Sequence, residues 1–277
     1  MTLRTAVVRH VEWATFARVP HMPKPGEIVH VSETWEEPGG GGGVASVQLV
    51  KLAGHCMFLT ALAEDRLGRR SAEVLGERGV EVHAAPRPAP QRRVFVHVDD
   101  EGERTITVIG DRIVPRGDED LPWAVLDGVD ACYFTGGDAA ALRAARAAGI
   151  LVATPRAAAT LHEAGVQLDA LVHSGTDKGE QLDEELDPPP RLVVTTLGAR
   201  GGHWEAAEGR TGTWTAAKLD GPRVNAYGAG DSFAAGLTYG LAACDSVEEA
   251  VKLAAKCGAA KLTGHGATDN QLTLAPR

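Results

Sequence analysis

Aromatic residues are scarce in this 277-residue chain, at 5% of positions, and cysteine is scarcer still, with thiols only at Cys56, Cys132, Cys244 and Cys257. No two of these form a Cys-x-x-Cys pair, so the spacing of a structural zinc site or a redox dithiol is missing, and their scatter through apolar and Ala-rich contexts does not read as a disulfide framework. Basic charge is in deficit: 28 Lys and Arg stand against 37 Asp and Glu, for a formal net charge of −9. A nucleic-acid backbone needs a basic face, so nucleic acid is not an expected partner. Long apolar runs are lacking, none approaching the ~20 residues of a membrane-crossing helix, and charges are scattered from Met1 to Pro20. A membrane partner is therefore not expected, and a cytoplasmic setting is. The ten histidines show no metal-ligand spacing, and no Gly-x-x-x-x-Gly-Lys-Ser/Thr segment occurs, which excludes a P-loop enzyme.

What is present is 44% apolar residues dominated by Ala, Val and Leu, with 33 glycines, a mix that suits parallel strands under Ala-rich helices. The pattern along the chain agrees. Thr5 to Val8 reads as a first strand, and glycines 39 to 43 lead into a helical stretch from Val44 that passes into a strand at Met57 to Ala61. A short helix from Glu73 to Arg78 closes at Gly79, before a strand at Val80 to His83. The rhythm then breaks: Val94, Val96 and Val98 alternate with Phe95 and His97, turn residues surround Gly102, and Thr105, Thr107 and Ile109 resume the alternation, as in an inserted antiparallel hairpin. Strand and helix follow in dense succession from Ala131 to Val172, then a strand over 191–196 and two long helices, Ser232 to Ala243 and Val247 to Leu262, with Ser246 as the second N-cap.

The strongest chemical signal is Asn225-Ala226-Tyr227-Gly228-Ala229-Gly230-Asp231-Ser232-Phe233-Ala234-Ala235-Gly236, small residues running straight into a helix. Free backbone N–H groups and the positive end of the dipole make such a terminus an anion site, and residues without side chains let a phosphate approach. A carboxylate beside that anion needs a reason. One is that Asp231 takes the proton of an attacking hydroxyl while the amides of Gly228, Ala229 and Gly230 form an anion hole for the transferring group. A plain helix cap behind a Gly turn is the blander reading.

This segment closely resembles the C-terminal signature of the ribokinase-like, phosphofructokinase-B type carbohydrate kinases, Asp-Thr-x-Gly-Ala-Gly-Asp-x-Phe followed by small residues, and the resemblance extends across nearly the whole chain. It implies a doubly wound, mostly parallel α/β sheet flanked by helices, in one domain over residues 1–277, with a small β lid inserted at about 11–34 and 91–110. The implied activity is transfer of the γ-phosphoryl group of ATP to a hydroxyl of a sugar or sugar-like molecule, with Asp231 as catalytic base. Gly39, Gly40, Gly41, Gly42 and Gly43 resemble the sugar-contacting Gly-Gly element, and Glu64-Asp65 with Gly68 the Asp-x-x-Gly after it. Ser174, Thr196, Gly198, Arg200, Gly201, Gly228 and Gly230 fall on nucleotide-binding positions, and adenine is expected against Ala254, Gly258 and the loop Gly264 to Ala267. Asp177 and Glu180 correspond to the region that holds Mg2+, here through water. Family lids often pair, which implies a homodimer through the lid.

The departures fall on the acceptor side. Glu12 stands where a sugar-binding Asp is usual, Gly43 and Val44 where an Asn commonly follows the glycines, and Ser174 in place of an Asn. Asn225 and Ala226 replace the Asp-Thr of the signature, so a K+ site at Asn225 stays open as an expectation with less charge behind it. Arg92, Arg93 and Arg104 on the hairpin read either as edge-strand charges that deter aggregation or as reaching an anionic substrate. A nucleoside kinase and a catalytically silent ligand-binding member are the alternatives; Trp13, Phe16 and Trp35 are the few aromatics placed to sandwich a base.

Overall fold

A computed structural model describes residues 3–182 and 184–274. Its main sheet has nine strands, named in chain order with their ranges: β1 Thr5–Val8, β4 Cys56–Ala63, β5 Val80–Arg87, β8 Ala131–Phe134, β9 Ile150–Ala153, β10 Ala170–Ser174, β11 Leu192–Thr196, β12 Gly202–Ala206 and β13 Thr211–Trp214. They lie in the order β13-β12-β11-β10-β9-β8-β1-β4-β5. Every pairing from β5 to β11 is parallel, while β12 and β13 extend the sheet antiparallel. The pattern between Thr196 and Asn225 had not marked these last two strands, because each is short and its outward residues are polar.

Side chains alternate between two cores. Val7 and Phe58 point to the face covered by α1 Gly40–Ala53, α2 Arg66–Glu77, α5 Ala229–Ala243 and α6 Val247–Leu262; Ala6, Val8 and Leu59 point to the face covered by α3 Ala139–Ala145 and α4 Ala158–Ala164. Helices on both faces of a parallel sheet make the doubly wound architecture expected from the residues. The chain leaves β1 first toward β4 and β5 and later, on its other side, toward β8 to β11, so strand order reverses at β1. Ligands of such sheets bind beyond the carboxyl ends of the strands at that reversal.

Local signals set the helix ends. Gly54, at φ +82°, closes α1 in the left-handed conformation, and Ser246 Oγ accepts from Glu249 N to cap α6. Three helices begin earlier than their sequence pattern indicates, among them α2, which starts at Arg66 and not at Glu73. α1 starts at Gly40, not Val44, so glycines 40 to 43 form its first turn; α5 starts at Ala229, not Ser232, so Gly230 and Asp231 lie inside the helix and Gly228 is its N-cap.

The second sheet joins β2 Glu12–Arg18, β3 Glu33–Gly39, β6 Arg93–Val98 and β7 Arg104–Ile109 in the order β3-β2-β6-β7. Its alternation is the one read from the sequence: Val94, Val96 and Val98 are buried with Ala14 and Phe16 against Val44, Tyr227 and Ala267. The lid is thus packed on the signature loop itself. Asp65 anchors its return strand, accepting from Leu67 N and Gly68 N at the start of α2 and from Gln91 N just before β6.

Candidate active site

Five strands deliver residues to one end of the sheet. Arg9 and His10 follow β1, Thr135 follows β8, Thr154 follows β9, Ser174 ends β10 and Thr196 ends β11. Arg9, His10, Thr154 and Thr196 line a cavity of about 320 Å³, with Glu12, Gly40, Gly41, Gly228, Gly230 and Asp231. The lid contributes Arg92, Arg104, Ile106 and Val108.

Asp231 lies in the first turn of α5, whose N-cap, Gly228 at φ +80°, supplies no side-chain bond to the terminal amides. Those donors therefore have no side-chain partner at the helix end where the macrodipole is positive. Arg9 Nη2 is 3.8 Å from Asp231 Oδ1, and Arg9 Nη1 donates to Thr135 O at 3.1 Å and Thr135 Oγ1 at 2.5 Å. Gly41 lets both approach: a Cβ there would run into Arg9 Nε and Asp231 Oδ1.

Glu12 is enclosed. Its Oε2 takes Arg92 Nε at 3.1 Å and faces His10 Nε2 at 3.5 Å, and its Oε1 accepts from Tyr227 Oη at 3.1 Å. Tyr227 Oη in turn accepts from Gly40 N at 2.6 Å, so the first amide of α1 is spent within the protein. Burial alone would raise the Glu12 carboxyl, but the hydrogen bond and charge of His10 and the guanidinium of Arg92 outweigh it and bring it to about 2. Burial, against the opposing hydrogen bond that His10 donates to Glu12, pulls His10 down to about 4, so its imidazole is neutral at pH 7.

On the far side, Arg156 clamps both carboxylates of the charged loop, Nη2 to Asp177 Oδ2 at 2.8 Å and Nε to Glu180 Oε1 at 2.9 Å. Glu180 lines the cavity and Asp177 does not. Burial raises the Glu180 carboxyl, with Asp231 and Asp177 adding to the effect and Arg156 opposing it, so a cation beside it would be welcome. Among the described residues no group of three His, Cys, Asp or Glu is placed to hold a metal directly. Asn225 is fully buried with both ends of its amide used: Nδ2 donates to His265 O at 2.8 Å and Oδ1 accepts from Tyr227 N at 2.9 Å. It fits a brace between two loops, not an open potassium ligand.

Of the glycine run, Gly40 and Gly41 face the cavity, Gly39 lies under the Tyr227 ring, Gly42 abuts Phe58 and Gly43 lies near Pro38 and Leu75. Gly198, Arg200 and Gly201 form the turn after β11, outside the cavity walls, and Ser174 Oγ accepts from Thr176 N and Asp177 N. One expectation is corrected: Ala254 is fully buried at the crossing of α5 and α6, where a Cβ on Gly236 would lie 2.9 Å from its Cα, so it cannot face a nucleotide. Gly258 is half-buried beside Ala229 O and Phe233. Sequence reasoning missed Arg9, His10, Arg112, Arg156 and Tyr227. Only Tyr227 carried a signal, as a large residue inside a run of small ones.

Residues 157–274 match the family model described as pfkB family carbohydrate kinase. An ATP-dependent ribose-1-phosphate kinase of Halopiger xanaduensis is 25% identical over 285 residues, covering 96% of this chain and 94% of the relative. Ribokinase of Thermotoga maritima superposes with a TM-score of 0.78 at 22% identity, covering 99% of this chain and 97% of that one. Arabidopsis thaliana ribokinase complexed with ribose and ATP does so with a TM-score of 0.75 at 19% identity, covering 98% and 96%. The likeness to these two structures is one of fold. The C-terminal part of the chain is thus similar in sequence to the pfkB family carbohydrate kinases, and its whole length is similar in fold to ribokinases.

Proposed function

We propose that the chain is an ATP-dependent phosphotransferase whose acceptor is a hydroxyl of a sugar or sugar-like small molecule and whose base is Asp231. The observation that carries this reading is the position of Asp231 in the uncapped first turn of α5, beside Arg9, on the wall of a cavity roofed by the lid. The carboxylate takes the acceptor's proton. The acceptor oxygen bonds to the γ-phosphorus as the bond from that phosphorus to the bridging oxygen breaks, and ADP leaves with the electron pair. The N–H groups of Ala229 and Gly230 meet the charge on the transferring group, and the lid keeps out water that would compete as acceptor.

Magnesium carried on the nucleotide phosphates would neutralise charge there, with Glu180 and Asp177 reaching it through water, since Arg156 already holds both carboxylates. No step is assigned to potassium. A sugar is favoured over a nucleoside because the aromatics of the lid are committed elsewhere: Phe16 stacks on Trp35 at 4.9 Å between centroids and meets Tyr227 edge-on at 5.1 Å, and Trp13 donates to Glu36.

The lid also supports a homodimer. Strand β7 is a sheet edge exposed along its length, and its Ile106, Val108 and Ile109 leave apolar surface that a second lid would cover. No helix among the described residues is long and apolar enough to cross a membrane, and the buried thiols of Cys56, Cys132 and Cys257 suit a reducing cytoplasm.

The test is ADP release from ATP against neutral sugars, sugar phosphates, sugar acids and nucleosides, with Asp231→Asn alongside. Turnover of one acceptor class that falls roughly 10²- to 10⁴-fold in the variant is the expected result; undiminished turnover in the variant would remove Asp231 from the role.

A further inference from the structure

Lys261, in the last turn of α6, is fully buried, and its Nζ has no hydrogen-bond partner among the described residues. A lysine that only complemented the negative end of the helix dipole would reach into water, because burying an unpartnered ammonium costs free energy. Burial lowers the ammonium to about 8, with Asp269 and Glu37 opposing that fall and Lys51 adding to it, so the group is charged at pH 7.

The charge lies behind the anion hole of α5. Leu262 O, the next carbonyl along α6, accepts from Val224 N at 2.8 Å and Asn225 N at 3.2 Å, which ties the segment before α5 to the end of α6. The loop after α6 is tied to the same segment where Asn225 Nδ2 donates to His265 O. A Cβ on Gly228, the N-cap of α5, would lie 3.2 Å from Ala267 O of that loop. The two carboxylates whose field reaches Lys261 hold the loop by its amides: Glu37 Oε1 accepts from Ala267 N at 2.7 Å, and Asp269 Oδ2 accepts from Gly266 N at 2.8 Å. Lys261 thus balances Glu37 and Asp269, these fix residues 266 and 267, and Ala267 backs the glycine from which the amides of Ala229 and Gly230 start.

A potassium ion bound between these two loops would meet that charge. Arg78 Nη2 is 2.7 Å from Glu37 Oε2, and Lys51 Nζ donates to Thr268 O at 2.7 Å within the field of Asp269. Lys261, Arg78 and Lys51 therefore already outnumber Glu37 and Asp269, and like charges repel strongly in a low-dielectric interior. The amide oxygen of Asn225 is spent on Tyr227 N, and Ala226 offers no side-chain ligand. The residues present do not fit a potassium ion.

We propose that the ammonium of Lys261 is a built-in monovalent cation for the signature loop, a positioning residue that holds the amides of Ala229 and Gly230 through Glu37, Asp269 and the loop of residues 264 to 269, and that the protein needs no potassium. The inference goes beyond the phosphotransferase reading and rests on it only for the effect on turnover.

The experiment compares the wild type with Lys261→Met in potassium, ammonium and tetramethylammonium chloride at one ionic strength, by thermal melting, by calorimetric titration of ATP and by kcat. Methionine keeps an unbranched stem and removes the charge. The wild type should show no saturable response to potassium or ammonium in any of the three readouts. In tetramethylammonium the variant should melt lower, bind ATP more weakly and turn over more slowly, the last two by about two- to thirty-fold, the span of couplings carried through packed networks. Potassium and ammonium, small enough for the space the side chain leaves, should restore most of that loss, and tetramethylammonium should not. A wild type that potassium saturably stabilises or activates overturns the proposal, and does so even if the variant fails to fold. A variant that matches the wild type in tetramethylammonium overturns it too, as does a loss that no small cation repairs, which would make Lys261 a packing residue alone. If no acceptor yields ADP, the phosphotransferase reading fails, while melting in the three salts still decides the role of Lys261.

Discussion

Gly41 lies beneath both Arg9 and Asp231, and the space where its side chain would begin is filled by Arg9 Nε and Asp231 Oδ1. The N-terminal glycine run and the C-terminal signature, almost two hundred residues apart in the chain, are therefore one construction: the first turn of α1 is bare so that the acid of α5 and the arginine after β1 can stand over it.

Gly41→Ala tests that closeness. Alanine is a better helix former than glycine, so α1 itself should not suffer, but the added methyl must push Arg9 or Asp231 away. We expect kcat to fall at least about tenfold, since displacing a catalytic group by ~1 Å can cost as much as 10²-fold. Overpacking should cost about 1–3 kcal/mol of stability by denaturant titration. A variant with wild-type kcat would show that the acid does not need its present position.

Tyr227→Phe removes one oxygen and strands two partners, the Gly40 amide and Glu12 Oε1, both buried. Stability should drop by about 1–3 kcal/mol, the cost of leaving a buried polar group unsatisfied. The Phe16 edge contact is kept, because the ring remains. Thermal melts of the variant beside the wild type measure it.

Acid should destabilise the protein in two overlapping stages. His10 is lowered from an ordinary 6.5 to about 4 in the folded chain, so the unfolded chain binds the extra proton first and stability is lost as pH falls from about 6.5 toward 4. Glu12 is lowered from 4.5 to about 2, so its contribution, complete above about 4.5, is lost as pH falls toward 2. Unfolding free energies measured across pH 7 to 3 should decline throughout, and His10→Gln should flatten the upper stage. A flat profile between pH 6.5 and 4.5 in the wild type would contradict the burial of a neutral imidazole.

Ile109→Glu places a charge on the free edge strand of the lid, where Ile109 is 42% exposed and directly opposite Arg93 in the hairpin register. If lids pair, sedimentation should find the wild type as a dimer and the variant shifted toward monomer. A wild-type monomer at micromolar concentration would remove the lid interface.

Sequence alone determined the architecture and the position of the acid. Apolar strands of four to eight residues alternating with Ala-rich helices leave few ways to bury both faces of a sheet. The valine alternation at Val94, Val96 and Val98 marks a strand with one face packed, and small residues running into a helix at Gly228 to Asp231 mark an anion-binding terminus, because each is a local property of a short segment. The arginine wall was legible only in part. Arg92 and Arg104 stood out on the hairpin, as edge charges or as groups reaching an anionic substrate, but Arg9, Arg112 and Arg156, up to almost 150 residues apart, each read as an ordinary surface charge in an acidic chain. Nor could the sequence tell that Glu12 is spent, since its partners Arg92 and Tyr227 arrive from β6 and from the loop before α5. Only the reversal of strand order at β1 and the folding of the lid over it bring these charges within reach of one another. In water their interactions at sequence distance are negligible, and in a half-closed cavity they govern what can bind.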